Sequence, residues 1–258
     1  MILDQANRFR AELAAAQLWE KYGFETPHDL ELDVLAYARG VFVMEERLDS
    51  SDARLVRKGN RGFVRVNRDI AEPGRKRFAI AHELGHFEIH KEVSQLSACT
   101  SQDMIGSYKG STTEIEANWF AAELLMPKSH FIKKQNDQFP SFAVVRELAD
   151  YFRTTLIATA IRLAELSEER VAIVICESGK VRWWRASNSF REHYRINAGM
   201  KLKEESAAGW VCLGHQNEGK PVSIDSVAWN GPVHEEDWWE DVLVQEKYGQ
   251  VLSLIRAA

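Results

Sequence analysis

The chain offers one stretch dense in groups that can do chemistry, "FAIAHELGHFEIH" at positions 78–90, which holds three of its eight histidines. Helical spacing brings His82 and His86 to one face, one turn apart. Two imidazoles so placed can both reach one divalent ion at about 2.0 Å. Glu83, one residue on, falls near such an ion's open coordination position, where a carboxylate can take a proton from water. The pattern is that of metal-assisted hydrolysis. Both histidines also lie near an apolar stripe of Phe78, Ala79 and Phe87, where imidazoles without partners would be costly to bury. Gly85, a poor helix former between them, permits a neighbouring chain to come close.

A catalytic zinc site commonly takes three protein ligands and leaves a fourth position for water. His90 is four residues further on, about 12 Å of helical rise from His82 and too far to share the ion. It suits a supporting or capping role better. In "TEIEANWFAAELLMP", Glu116, Ala117, Phe120, Ala121 and Leu124 share a face. A carboxylate in the middle of an apolar face is expensive unless a cation meets it. Glu116 is therefore the expected third ligand. Glu114 and Glu123 fall off that face and are expected to be solvated. Asn118 suits a hydrogen bond to a ligand or a loop, or a plain surface position.

These two stretches, "AIAHELGHFEIH" and "EIEANWFAAELLMP", closely resemble the ImmA/IrrE family of metallopeptidases, relatives of the thermolysin-like zincins, over roughly residues 30–166. The resemblance implies a zincin-like fold, with His82, His86 and Glu116 as zinc ligands and Glu83 as catalytic base. Manganese is the alternative metal. It further implies a protein substrate, a helix-turn-helix transcriptional repressor. The implied reaction is peptide hydrolysis, with Glu83 passing the proton of the attacking water to the leaving amine. Tyr108 and His130 are candidates for stabilising the oxyanion, by chain proximity alone.

Around the site the pattern predicts a helix over "ANRFRAELAAAQLWEKYG" ending at Gly23. A second, in "PHDLELDVLAYARG", carries Leu30, Val34, Leu35 and Ala38 on one face. "RLVRKGNRGFVRVN" reads as a hairpin turning at Gly59-Asn60. Residues 74–91 read as the histidine-bearing helix, 92–112 as a loop, and Pro127 ends the glutamate-bearing helix. "GFVRVN" is the expected sheet edge for a substrate strand. Residues 53–77 hold nine Lys/Arg against two acids, either a solvated face or a groove for an acidic segment. "VVRELADYFRTTLIATAIRLAEL" has helix-turn-helix spacing. Its second helix offers only Arg162 beside Thr155 and Thr159, so packing or protein docking is favoured over DNA binding. From residue 168 short β-rich runs carry six of the eight tryptophans.

The expected fold is α+β: a zincin-like domain at 1–140, a helix-turn-helix-like segment at 141–167, and a small mainly-β, possibly sensory module at 168–258. With 45% apolar and 28% charged residues the chain reads as soluble and globular. A net charge of −5 argues against nucleic acid as its dominant partner. No apolar run is long enough for a membrane span, and the N-terminus does not read as a secretory signal. Three scattered cysteines suggest no disulfide framework and fit the cytoplasm. Three functions remain in contention: a zinc endopeptidase, a transcriptional regulator or adaptor acting by binding alone, or a toxin–antitoxin component acting through protein contacts. An intact Glu83 favours the first.

Overall fold

The computed structural model describes residues 6–49, 51–90, 97–99, 111–216, 219–231 and 238–257. Two compact units divide the chain, Met1–Lys134 with Ala149–Ala158, and Gln135–Leu148 with Thr159–Ala258. The fold class is α+β, as expected.

In the first unit, helix α1 (Arg8–Tyr22) starts where the Asn7 side chain accepts the Arg10 backbone N–H, and stops at Gly23, whose φ is 65°. Its buried residues Ala11, Ala15, Leu18 and Trp19 recur at helical spacing. Helix α2 (Leu32–Ala38) buries Leu32, Leu35 and Ala36. Val34, expected on the inner face, is exposed. The helix begins at Leu32, so an i, i+3, i+4 set headed by that residue, not by Leu30, points inward.

Strands β1 (Val41–Glu46), β2 (Ala53–Lys58), β3 (Arg61–Asn67) and β4 (Ser97–Cys99) form a sheet in the order β1-β3-β2-β4. Lys58 pairs with Arg61 across a two-residue turn, with Gly59 at φ 60°, as the hairpin pattern predicts. "GFVRVN" is β3, and here the expectation of an edge fails. β1 pairs with it in parallel, so β3 is interior and the edges among the described strands are β1 and β4. A parallel partner arriving by a crossover leaves no local trace in the sequence.

Helix α3 (Pro73–Ile89) carries the histidines, and Pro73 sits in its first turn, where a missing N–H costs nothing. From Phe78 to Phe87 every residue is buried. One side packs on β2 and β3, another on helix α4 (Thr112–Leu125). A Cβ on Gly85 would lie 2.9 Å from the Phe120 ring of α4, so that glycine sets how closely the two helices approach. α4 in turn packs against α1, and the Trp19 indole donates to the Leu124 carbonyl at 2.8 Å. Helix α5 (Lys128–Gln135) follows, then α6 (Phe142–Phe152) and α7 (Leu156–Leu166), the pair with helix-turn-helix spacing.

In the second unit β5 (Arg170–Glu177), β6 (Lys180–Ala186), β7 (Val222–Ile224), β8 (Trp238–Gln245) and β9 (Gln250–Ala257) make an antiparallel sheet ordered β6-β5-β9-β8-β7. Two short helices, α8 (Asn188–His193) and α9 (Ala207–Cys212), accompany it. Trp229 and Trp238 are fully buried with Phe190 and Tyr194, whereas Trp210 is exposed, so the tryptophans divide between core and rim. His234 to Asp237 of the aromatic-acidic run "HEEDWWEDVL" lie outside the described residues. Cys176 and Cys212 are free thiols, and burial pushes Cys176 up to about 12.

Glu240 of β8 is wholly buried and accepts four hydrogen bonds, from the Ala207 and Ala208 N–H groups, the Trp229 indole and the Ser253 hydroxyl. Burial nonetheless raises its pKa above the usual range. Removing the acceptor leaves four buried or part-buried donors unsatisfied, at a cost of about 1–3 kcal/mol for each that finds no other partner. Glu240→Ala should therefore lower the urea midpoint of unfolding by a corresponding amount; an unchanged midpoint would show the network to be dispensable.

Candidate metal centre

α3 and α4 bring three electron-pair donors to one point. The Nε2 atoms of His82 and His86 stand 3.0 Å apart. Glu114 of α4 reaches both, with Oε2 3.1 Å from His82 and Oε1 3.2 Å from His86. Tetrahedral ligands bound at 2.0–2.1 Å stand about 3.3 Å from one another, so this spacing fits a small divalent ion. The outward nitrogens say the same. His82 Nδ1 lies 2.8 Å from the Asn118 side-chain oxygen, which only accepts. That ring therefore carries its hydrogen on Nδ1 and, when neutral, turns a bare lone pair toward the other two donors. Three acceptors in a nearly dry space repel unless a proton or a cation lies among them.

The structure brings His82, His86 and Glu114 together; Glu116, the expected third ligand, is held elsewhere. Its carboxylate accepts the Asn7 backbone N–H at 2.7 Å, is paired with the Arg10 guanidinium, and receives His90 Nε2 at 2.8 Å. A cation does offset the sunken charge, but it is an arginine of α1. The difference from the expected placement has a plain cause. α4 is packed on two sides, and residues two apart on a helix point nearly opposite ways, so Glu116 looks to α1 and Glu114 to α3. Burial singled out Glu116, because Glu114 keeps 24% of its side chain exposed. The better signal was the i, i+4 pair Glu114 and Asn118, matching the His82–His86 spacing across the helix contact. His90 ends α3, its N–H bonded to the His86 carbonyl, and its Nδ1 lies 3.0 Å from His86 Nδ1.

The electrostatics follow from burial and from the acids. At His82 burial pulls the pKa down, but the Glu114 bond, the charge of Glu83 and Asn118 together outweigh it and the net shift is upward. His86 is drawn down to about 4, chiefly by burial. Burial would raise Glu114, yet its bonds to the two imidazoles hold it well below the usual carboxylate range. Glu83 is entirely buried on the same turn as His82.

Other expectations resolve less favourably. Tyr108 lies outside the described residues. His130 bonds the Glu25 carbonyl at 3.0 Å and packs on Trp19. Much of the basic stretch is occupied internally. Arg75 grips the buried Asp52 through two bonds at 2.7 and 2.8 Å, Lys76 meets Glu45, and Arg57 donates to the Phe87 carbonyl and lies over its ring. Those side chains brace the sheet against α3, and they weaken the case for a groove suited to an acidic segment.

Residues 36–164 match the model of the IrrE N-terminal-like domain, Peptidase_M78, and the chain belongs to that family. Among solved structures it is similar to a Mycobacterium tuberculosis transcriptional regulator, with a TM-score of 0.59 and 16% identity over 96% of this chain and 77% of that one. At that identity the likeness is one of fold. No curated protein matches the sequence.

Two outcomes are expected for metal binding. Glu114→Ala should weaken zinc affinity by more than the roughly 10–100-fold typical of changes to residues supporting a ligand; an equal or larger loss in Glu116→Ala, with Glu114→Ala unaffected, would reverse the assignment. Zinc must also displace the proton that His82 holds more tightly than usual. Affinity measured by chelator competition should therefore fall as pH drops through the raised His82 pKa, a loss already under way above about pH 6.5. His86 is neutral there and adds nothing until far more acidic conditions. A flat profile between about pH 6 and 8 would contradict this.

Proposed function

We propose that this chain is a zinc-dependent endopeptidase acting on a regulatory protein. The observation that carries the reading is the convergence of His82, His86 and Glu114 at 3.0–3.2 Å beside the buried Glu83. These three side chains would hold the ion, with manganese as an alternative, and leave a position for water. When bound, the metal supplies a Lewis acid that polarises the scissile carbonyl and lowers the pKa of a water toward about 7. Glu83 is the general base, taking the water's proton and delivering it to the leaving amine.

The substrate class comes from the family resemblance: a helix-turn-helix repressor, cleaved in the cytoplasm. Among the described residues no helix is long and apolar enough to cross a membrane. In this reading the 141–167 pair docks protein, and the sheet module from residue 168 regulates. DNA is disfavoured as a partner because Arg162, the only Lys or Arg of α7, is buried and exposes no charge to a phosphate backbone.

The competing reading, a regulator that acts by binding alone, draws on the fold neighbour, which is a transcriptional regulator. Such a protein has no use for a general base. Glu83→Gln separates the two. The variant should keep about one equivalent of zinc while cleavage of a candidate repressor, followed by mass spectrometry, disappears. Full regulatory activity of the variant in cells would favour the binding protein, whereas undiminished cleavage would remove Glu83 from the role of general base.

A further inference from the structure

Glu116, His90 and Arg10 lie just behind the donor cluster, and their hydrogen bonds run in one direction. Glu116 meets three groups: the Asn7 N–H, the Arg10 guanidinium and His90 Nε2. The first two can only donate. Paired with the Arg10 guanidinium and bonded by the Asn7 N–H, the Glu116 side chain is a carboxylate. An ionised carboxylate only accepts, so His90 must present a hydrogen on Nε2. In neutral His90 the Nδ1 atom is then a bare acceptor. It faces His86 Nδ1 at 3.0 Å, which requires His86 to carry its hydrogen there. The lone pair of His86 is thereby confined to Nε2, the atom that faces His82 and Glu114.

We infer that Glu116 and His90 are positioning residues for the metal ligand His86, clamped from the other side by Arg10 and the Asn7 N–H of α1. The inference rests on the metal-centre reading above. The chain fixes the tautomer of His86 and its ring orientation, and the carboxylate behind His90 makes His86 a stronger electron-pair donor. Asn118 does the corresponding work for His82 with a single bond of 2.8 Å. The arrangement also gives the beginning of α1 a role: Asn7 and Arg10, more than 70 residues before the first histidine of the site, stand at the far end of the relay. His90 and Glu116 are both buried, whereas the Arg10 side chain is about half exposed at 52%, so the relay runs from the protein surface to the donor cluster.

The test uses the full chain and zinc alone. His90→Leu, which removes acceptor and donor together, should weaken zinc binding in chelator competition by roughly 10–100-fold. His90→Asn places an amide oxygen near the position of the lost Nδ1 and should restore much of that affinity, which a merely space-filling role would not predict. Glu116→Gln, which turns an NH2 group toward one of three donors, should fall between. Nitrogen-15 NMR of the wild-type zinc form supplies a readout independent of any variant's folding, with His86 protonated at Nδ1 and His90 at Nε2. A His90 proton on Nδ1, or all three variants binding zinc within about twofold of wild type, overturns the inference and leaves the metal centre standing. A wild-type chain that takes up no zinc fails the metal-centre reading itself.

Discussion

Three electron-pair donors held within 3.2 Å of one another in a nearly dry space are a source of repulsion unless positive charge lies among them. The rest of the first unit is arranged around that constraint. α3 is buried on all sides from Phe78 to Phe87, which only makes physical sense for His82, Glu83 and His86 if their polar atoms are matched. Gly85 allows α4 to come near enough, through Phe120, to deliver Glu114.

A second charge problem sits one layer back and is solved without metal. Glu116 is buried more deeply than Glu114, and Arg10 and the Asn7 N–H hold its charge. α4 thus carries two glutamates facing opposite ways, one toward the imidazoles and one toward α1. His90 joins the two environments, bonded to Glu116 on one side and to His86 on the other. Through it the packing of α1 on α4, fastened further along by the Trp19–Leu124 bond, reaches the site.

What the sequence disclosed followed from local rules. The spacing of His82 and His86, the Gly59-Asn60 turn, the Gly23 and Pro127 boundaries and the β-rich texture after residue 168 all depend on neighbours in the chain, and the structure agrees with each. The failures share one cause. A burial pattern tells that a helix face is covered, not by which element. For α4, covered by both α1 and α3, it selected Glu116, which faces α1, and passed over Glu114, which faces the histidines. The same blindness hid the parallel pairing of β1, which moves "GFVRVN" from the edge to the interior. It also hid the ion pairs that occupy the basic stretch, since Asp52 and Glu45 lie outside or at the limit of the segment whose charge was counted.

The most direct test of the central claim is X-ray absorption at the zinc edge on the zinc-loaded protein. Light-atom ligands only are expected, at about 2.0–2.1 Å, with the multiple-scattering signature of two imidazoles and the remaining shell filled by oxygen. A shell containing sulfur near about 2.3 Å, or one showing fewer than two imidazoles, would contradict it.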